Sequence, residues 1–184
     1  MAKSKSAYSE PTKFGKEDHH IIVVWVDNEA GVLARVIGLF SGRGYNIESL
    51  AVAEIDKTKH LSRITIVTKG TPKVIQQIKL QLGKLVPVHK VADFSICYPN
   101  ILFRELALFK LTGTKVKLNK AKKLCKKYNS FILDKTKKSF VIQVTALRRE
   151  IDKLTVNLKP LGLISTSRTG AVAMTKGKEI FIQN

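Results

Sequence analysis

Several features that are common in secreted proteins and membrane proteins are scarce in this chain of 184 residues. It has only two cysteines, Cys97 and Cys125, which lie far apart and outside any C-x-x-C motif, so neither a disulfide framework nor a zinc site is indicated. No apolar stretch approaches the roughly 20 residues of a membrane-spanning helix, and the N-terminus lacks the hydrophobic segment of a signal peptide. We therefore expect a cytoplasmic protein with reduced thiols, and no membrane partner.

Sets of residues that are typical of active sites are also lacking. No nucleophile–base pair, paired carboxylates or metal-ligand cluster stands out. His19 and His20 are neighbours, so on a strand they point to opposite faces, and Glu48 and Glu54 have no evident partner acid. The sequence favours a protein that is not an enzyme by itself, with no catalytic residue, metal site or cofactor in this chain.

Acidic residues and arginine are few compared with lysine. The chain has 33 basic and 14 acidic residues, which gives a net charge of +19. Of the 33 basic residues, 26 are Lys and 7 are Arg. Such a charge is compatible with nucleic-acid binding. Proteins that recognise bases and phosphates, however, rely on the bidentate hydrogen bonds of Arg, which is scarce here. The segment 61–68, a strand candidate, also lacks any aromatic residue on which a base could stack. We therefore expect no nucleic-acid partner.

The excess charge is concentrated in the second half of the chain. Residues 1–94 carry 14 basic and 9 acidic groups, a net charge of +5, whereas residues 95–184 carry 19 and 5, a net charge of +14. The densest run of lysines lies between Lys115 and Lys127. This run is either the solvated face of a helix or a patch that binds a charged partner.

Apolar spacing predicts the same order of elements twice. In the first half it predicts strands near 20–27, 46–55, 61–69 and 87–94, and helices near 31–42 and 72–84. In the second half it predicts strands near 104–112, 130–136, 139–146 and 162–168, and helices near 115–128 and 148–158. The order βαββαβ closes into a four-stranded antiparallel sheet with both helices on one face, the ferredoxin-like arrangement. The predicted fold class is α+β, with two tandem ferredoxin-like domains.

The chain is expected to divide into four parts. These are a disordered tail at 1–18, a first domain at 19–96, a second domain at 97–177 and a short tail at 178–184. In such domains no helix covers the other face of the sheet. Segments 47–54 and 64–67 carry apolar residues toward both sides, so this uncovered face would be apolar. A bare apolar face with open edges predicts pairing with another copy. We expect a homodimer in which the first-domain sheets lie side by side.

The turn between the first strand and the first helix is the most informative segment. An apolar run at 21–26 ends just before Asn28, and Gly31 precedes apolar positions spaced as one face of a helix. We expect Asn28 or a neighbour to cap this helix, whose first backbone N–H groups favour a carboxylate. Gly31 lets a ligand approach closely, and the side-chain amides of Asn28 and Asn46 offer donors and acceptors. The pattern suits a zwitterion, although Gly31 and Asn46 could also be ordinary turn residues.

Several long motifs carry a resemblance to a known family. They are Asn28-Glu-Ala-Gly-Val-Leu33, Arg35-Val-Ile-Gly-Leu-Phe-Ser41 and Arg43-Gly-Tyr-Asn-Ile-Glu-Ser-Leu50 in the first domain, and Arg104-Glu-Leu-Ala-Leu108, Leu158-Lys-Pro-Leu-Gly162 and Arg168-Thr-Gly170 in the second. With these motifs the first domain resembles an ACT domain, and most of the chain resembles the small regulatory subunits of acetolactate synthase. Ala34, where that family often has Ser, and the Lys-rich third helix depart from the pattern.

The resemblance implies a non-catalytic subunit in branched-chain amino acid biosynthesis. It would activate a thiamine-diphosphate-dependent large subunit and confer feedback inhibition by valine, sometimes by leucine or isoleucine. Thiamine diphosphate, Mg and FAD are expected only in that large subunit. By position, the family's contacts with the effector amino acid carry over to Asn28, Gly31, Val32, Leu33, Asn46 and Ile47. The alternative is a free-standing amino-acid sensor or an RNA-binding ferredoxin-like module.

Each of these positions suits one part of an amino acid. Backbone amides at 31–33 would take the carboxylate, and the amide oxygen of Asn28 or Asn46 would take the ammonium group. Leu33 and Ile47 are candidates for contact with a branched side chain.

Overall fold

The structure, a computed structural model that describes residues 17–94 and 100–178, repeats one arrangement twice. The first copy comprises β1 (Asp18–Asp27), α1 (Val32–Ser41), β2 (Ser49–Asp56), β3 (Leu61–Gly70), α2 (Pro72–Leu82) and β4 (Val88–Asp93). The second comprises β5 (Ile101–Thr112), α3 (Lys115–Cys125), β6 (Ser130–Lys135), β7 (Ser139–Ala146), α4 (Arg148–Leu158), a 3-10 turn (Lys159–Leu161) and β8 (Leu163–Thr175). The strand orders are β2-β3-β1-β4 and β6-β7-β5-β8, with all neighbours antiparallel. The predicted tandem ferredoxin-like fold is confirmed.

Each sheet packs its two helices against one face through a separate core. In the first domain, alternate residues of β1 (Ile22, Val24 and Val26) face the buried side of α1 and α2. In the second domain the core receives Leu118, Ala121 and Cys125 from α3 and Ile151, Leu154 and Leu158 from α4. Burying a large apolar side chain contributes about 1.5–3 kcal/mol, so the two cores are the main stabilising term of each domain.

A third apolar cluster joins the two domains. It includes Trp25 from β1, Phe94, Ile101 from β5 and Ala173 from β8, all less than 10 % exposed. The expectation that the helix-free face of the first sheet stays bare is therefore wrong. Beyond the end of β7, β5 and β8 continue as a two-stranded ribbon, and one face of this ribbon covers the first sheet.

Polar contacts fix the ribbon on the first sheet. The Arg63 guanidinium donates to the carbonyl of Ala173 and lies 5.4 Å from the centre of the Trp25 ring. The Ala171 N–H donates to Ser49 Oγ at 3.3 Å. Gly170, with a φ of +80°, passes so close that a Cβ would lie 2.4 Å from the same Oγ. The docking of the two domains therefore depends on specific atoms as well as on apolar area.

The remaining expectations from the sequence fall partly outside the described residues. The tails at 1–18 and 178–184 lie almost wholly outside them, and so does Cys97. Within 17–94 and 100–178, every helix is too short or too polar to span a bilayer.

Candidate functional site

A groove at the N-terminus of α1 gathers four of the six residues that the sequence singled out. It has a volume of about 540 Å³ and lies between α1, the end of β1 and the edge strand β2. Its lining includes Asn28, Gly31, Val32 and Leu33, together with Ile37 and Val52. We call this space the α1 groove.

Gly31 is the residue from which α1 begins. Its φ of +85° lies in the left-handed region that favours glycine, and a Cβ there would meet nothing within 4 Å. No side chain caps the helix, so the expectation that Asn28 or a neighbour does so is wrong. Asn28 lies three residues earlier, where its backbone N–H donates to the His60 carbonyl at 2.6 Å and its side-chain Nδ2 to Glu54 Oε1 at 3.1 Å.

The start of α1 consequently offers backbone donors to the groove. The first N–H groups of a helix have no intrahelical partner, and an anion near them is stabilised by the helix dipole. Val32 N–H reaches only the Glu29 carbonyl, at 3.4 Å. Within the described chain, the N–H groups of Leu33 and Ala34 have no acceptor. A carboxylate fits this position because it supplies acceptors and negative charge together.

The walls of the groove are aliphatic. Leu33 and Ile37 are half-buried, and Val52 of β2 is 46 % exposed although it is a large apolar residue. Apolar side chains that remain partly exposed around a concave surface can bury a small aliphatic group. The groove thus combines an anion-binding end with an apolar wall.

The other two residues singled out in the sequence lie elsewhere. Asn46 and Asn28 are hydrogen-bonded to different parts of the chain. Thr68 Oγ1 donates to the Asn46 carbonyl at 2.7 Å, and the Asn28 N–H donates to the His60 carbonyl. β3 begins at Leu61, directly after His60, and Thr68 lies seven residues further along this strand, which is roughly 23 Å at about 3.3 Å per residue. Asn46 and Asn28 are therefore held near opposite ends of β3. Ile47 lies beside Asn46 and packs on the first core. One chain alone does not bring Asn46 and Ile47 into the α1 groove.

Glu54 is a site residue that sequence reasoning missed. Its carboxylate accepts from Asn28, from which it is 26 positions distant in the chain. The contact depends on the β2–β3 register, in which Glu54 lies opposite Ser62. Ser62 itself lines the groove. Pairing the two predicted strands about their hairpin could have suggested this neighbourhood, but not the hydrogen bond.

Three of the four histidines lie beside carboxylates rather than beside one another. His20 Nδ1 lies 3.0 Å from Asp93 Oδ2, and His89 Nε2 lies 2.6 Å from Asp27 Oδ1. Among residues 17–94 and 100–178, no three His, Cys, Asp or Glu side chains are grouped as metal ligands.

The fold and the α1 groove together define the class of protein. Two ferredoxin-like domains, the first with a glycine turn that leads into an uncapped helix, correspond to an ACT-domain protein. Residues 22–90 match the family model described as an AHAS small subunit-like ACT domain, and residues 104–177 match the model for the small subunit of acetolactate synthase. These two matches account for both domains.

Individual relatives agree with the family models. The chain is 37 % identical over 167 residues to the acetolactate synthase small subunit of Aquifex aeolicus, covering 90 % of this chain and 85 % of that protein. It is 35 % identical over 161 residues to the isozyme 3 small subunit of Escherichia coli, covering 87 % and 97 %. The crystal structure of the small subunit from Thermotoga maritima superposes with a TM-score of 0.79 at 33 % identity, covering 88 % and 99 %. The chain belongs to the acetolactate synthase small-subunit family.

Proposed function

We propose that this chain activates the catalytic large subunit of acetolactate synthase and makes it sensitive to valine or another branched-chain amino acid. The observation that carries the proposal is the α1 groove, where uncapped helix donors meet an aliphatic wall. Thiamine diphosphate, Mg and FAD would be bound by the large subunit in the cytoplasm, and this chain would hold none of them.

The α1 groove offers a contact for each part of a branched-chain amino acid. The carboxylate would accept from the N–H groups of Leu33 and Ala34. The ammonium group would donate to Glu54 and to the free Oδ1 of Asn28, whose Nδ2 is already engaged. The branched side chain would lie against Ile37 and Val52. This assignment adds Glu54 to the residues expected from the resemblance.

A dimer would bring Asn46 and Ile47 to the same site. β2 is an edge strand, and in antiparallel pairing with the partner's β2 the start of one strand lies beside the end of the other. Asn46 and Ile47 precede the start of β2, and Glu54, bonded to Asn28, is near its end. A ligand would then be enclosed by the α1 groove of one protomer and the segment 46–47 of its partner.

Inhibition requires that the ligand bind two arrangements of this dimer unequally. Only the arrangement that supports the large subunit would be active, so a ligand that favours the other would lower activity. Coupling free energies of this kind are typically about 1–3 kcal/mol, or 5- to 150-fold. A ligand wedged between protomers can supply that difference because it contacts both.

The test is a valine titration of the complex reconstituted with the large subunit, followed by its acetolactate-forming activity. The wild-type chain should raise the basal activity of the large subunit, and added valine should remove most of this increase. Gly31→Asp should keep the activation but lose inhibition, since a carboxylate at position 31 repels the ligand carboxylate and occupies its space.

Gly177→Asp is the matched control for backbone strain. Gly177 also has a positive φ, +73°, and open space around it, but it is far along the chain from the groove. The complex with the Gly177→Asp variant should be inhibited by valine as the wild-type complex is. Unchanged inhibition in Gly31→Asp would remove the turn from the effector site, and absence of activation by wild type would refute the regulatory proposal itself.

An RNA-binding module is the alternative that the net charge of +19 favours. Such modules present aromatic residues on the open face of their central strands. In this chain that face of the first sheet is packed against Ile101, Ala171 and Ala173. The packing supports the regulatory proposal, and a salt-dependent mobility shift with RNA would be the result that revives the alternative.

A further inference from the structure

A second cavity lies between the two domains, well apart from the α1 groove. It has a volume of about 700 Å³ and is lined from the first domain by Ile21 and Val67, at the start of β1 and the end of β3. These residues belong to the helix-free face of the sheet, whereas the α1 groove opens at the other end of β1 on the helix side. We call this space the interdomain cavity.

Arginines are concentrated around the interdomain cavity. Only 7 of the 33 basic residues are Arg, yet Arg104, Arg148 and Arg149 all line this one space. Arg168 lines the adjoining pocket, which shares Arg148 and Glu48 with the cavity. An Arg presents several N–H donors in a rigid fork that matches a carboxylate, which Lys does not.

The acidic residues of the cavity already have cationic partners. Glu48 Oε2 lies 3.2 Å from Arg148 Nη2 and 3.2 Å from His19 Nδ1. Asp152 Oδ1 lies 2.6 Å from Arg168 Nη1. These acids are therefore poorly placed to take the positive group of a ligand.

The arginines, in contrast, have donors to spare. Arg148 Nη1 is buried and has no hydrogen-bond partner. The side chain of Arg149 is exposed and, within the described chain, makes no ion pair or hydrogen bond, while the side chain of Arg104 donates only to the carbonyl of its neighbour Phe103. A buried donor without a partner is destabilising, so an acceptor at this place stabilises the protein.

The floor of the cavity is apolar. Ile21, Val67, Ile101 and Phe103 line the cavity together with the arginines, and the first three are less than 10 % exposed. A ligand that satisfies the guanidinium groups and also covers this floor must be an anion with an aliphatic part. Because the floor comes from both domains, such a ligand would contact both at once.

We propose that the interdomain cavity is a second ligand site, which binds a small monocarboxylate with an aliphatic tail and no ammonium group. The carboxylate accepts from Arg148 Nη1 and from Arg149, and the tail lies on Ile21, Val67 and Ile101. The site is independent of the α1 groove in both position and ligand chemistry.

Calorimetric titration of the full chain with 4-methylpentanoate tests this site. Binding is expected for 4-methylpentanoate, but not for acetate, which lacks the tail, or for 4-methylpentylamine, which lacks the anion. Arg149→Gln should weaken binding roughly tenfold or more, since a hydrogen bond to a charged group is worth about 1.5–3 kcal/mol. Arg148→Lys should weaken it as well, because Lys keeps the charge beside Glu48 but loses the second nitrogen of the fork.

Two control variants distinguish binding in this cavity from a general loss of positive charge and from binding in the α1 groove. Arg43→Gln removes an arginine that bonds Gln81 on the helix side of the first sheet, so it should bind 4-methylpentanoate as wild type does. Gly31→Asp, which alters the α1 groove, should also bind it normally. Equal binding of the amine, equal affinity in Arg149→Gln and Arg43→Gln, or no heat with wild type would each overturn the proposal.

Discussion

Single residues explain why two of the family motifs belong together. Glu105, only 3 % exposed, accepts two hydrogen bonds from Arg168, one from Nε at 2.7 Å and one from Nη2 at 2.8 Å. The bonded carboxylate raises the pKa of the Arg168 guanidinium well above its ordinary value. These residues come from the motifs at 104–108 and 168–170, and two positions beyond Arg168, Gly170 touches Ser49 of the first domain. The motifs therefore shape the junction between the domains.

The reactivity of Cys125 is a prediction at the same scale. The thiol is fully buried in the second core, and burial raises its pKa from the ordinary 9.0 to about 11. In a Cys97→Ser variant, we expect iodoacetamide to modify Cys125 slowly up to a pH of about 11, because the thiolate is the reactive form. The raised pKa also means that this group stabilises the fold below pH 9 and that its contribution is lost as the pH rises toward 11.

Mass spectrometry at a series of pH values measures the modification of Cys125. The same variant unfolded in guanidinium chloride is the control, and its labelling should rise around the ordinary thiol pKa. Fast labelling of the folded protein at pH 8 would contradict the burial of Cys125.

At the scale of elements, the sequence predicted the number and order of helices and strands, and departed from the structure where pairing is long-range. The strand predicted at 162–168 continues to Thr175 in β8, because residues 171–175 pair with 101–105 of β5 beyond a bulge. Small residues such as Ala171 and Ala173 give little strand signal on their own. They form a strand here because the first sheet lies against them.

The candidate site was predictable only in part for a similar reason. A local motif, 28–33, was sufficient to identify the turn, since glycine and the helix start are encoded by neighbouring residues. The bond between Asn28 and Glu54 was not predictable, because it depends on the register of β2 and β3. The sequence of an apolar sheet face is the same whether a second copy or the chain's own ribbon covers it. The covering of the first sheet by β5 and β8 was therefore not predictable.

The edge strand β2 provides the prediction at the scale of elements. Val52 is exposed in the single chain, so Val52→Lys should leave the protomer folded. In a dimer paired through β2, the substitution in both protomers places two like charges near one interface and removes two apolar side chains. Each buried Val contributes about 1.5–3 kcal/mol, so we expect the dimer dissociation constant to rise at least about tenfold.

Sedimentation equilibrium of the full chain measures this change. Val156→Lys is the matched control, because Val156 is 63 % exposed and belongs to α4 of the second domain. It should associate as wild type does. A wild-type monomer, or a dimer unaffected by Val52→Lys, would count against pairing through β2.

At the scale of the whole molecule, the interdomain cluster determines whether the two domains unfold together. Each domain has its own core and could in principle fold alone, but both contribute to the cluster around Trp25. Ile101 is 8 % exposed within this cluster, whereas the next residue, Leu102, is 44 % exposed on the other side of the ribbon. Replacing Ile101 by Asn removes apolar contact and buries an amide, a change that costs about 2–5 kcal/mol.

Ile101→Asn should therefore divide one cooperative unfolding transition into two, while Leu102→Asn should leave it single. Calorimetry measures the number of transitions, and the fluorescence of Trp25, the only tryptophan and 4 % exposed, reports on the junction. In Ile101→Asn its emission should shift to longer wavelength before helical circular dichroism is lost, since the junction opens while each core remains packed. Two separate transitions in wild type would mean that the domains are independent, and a ligand bound between them could then not transmit a signal from one to the other.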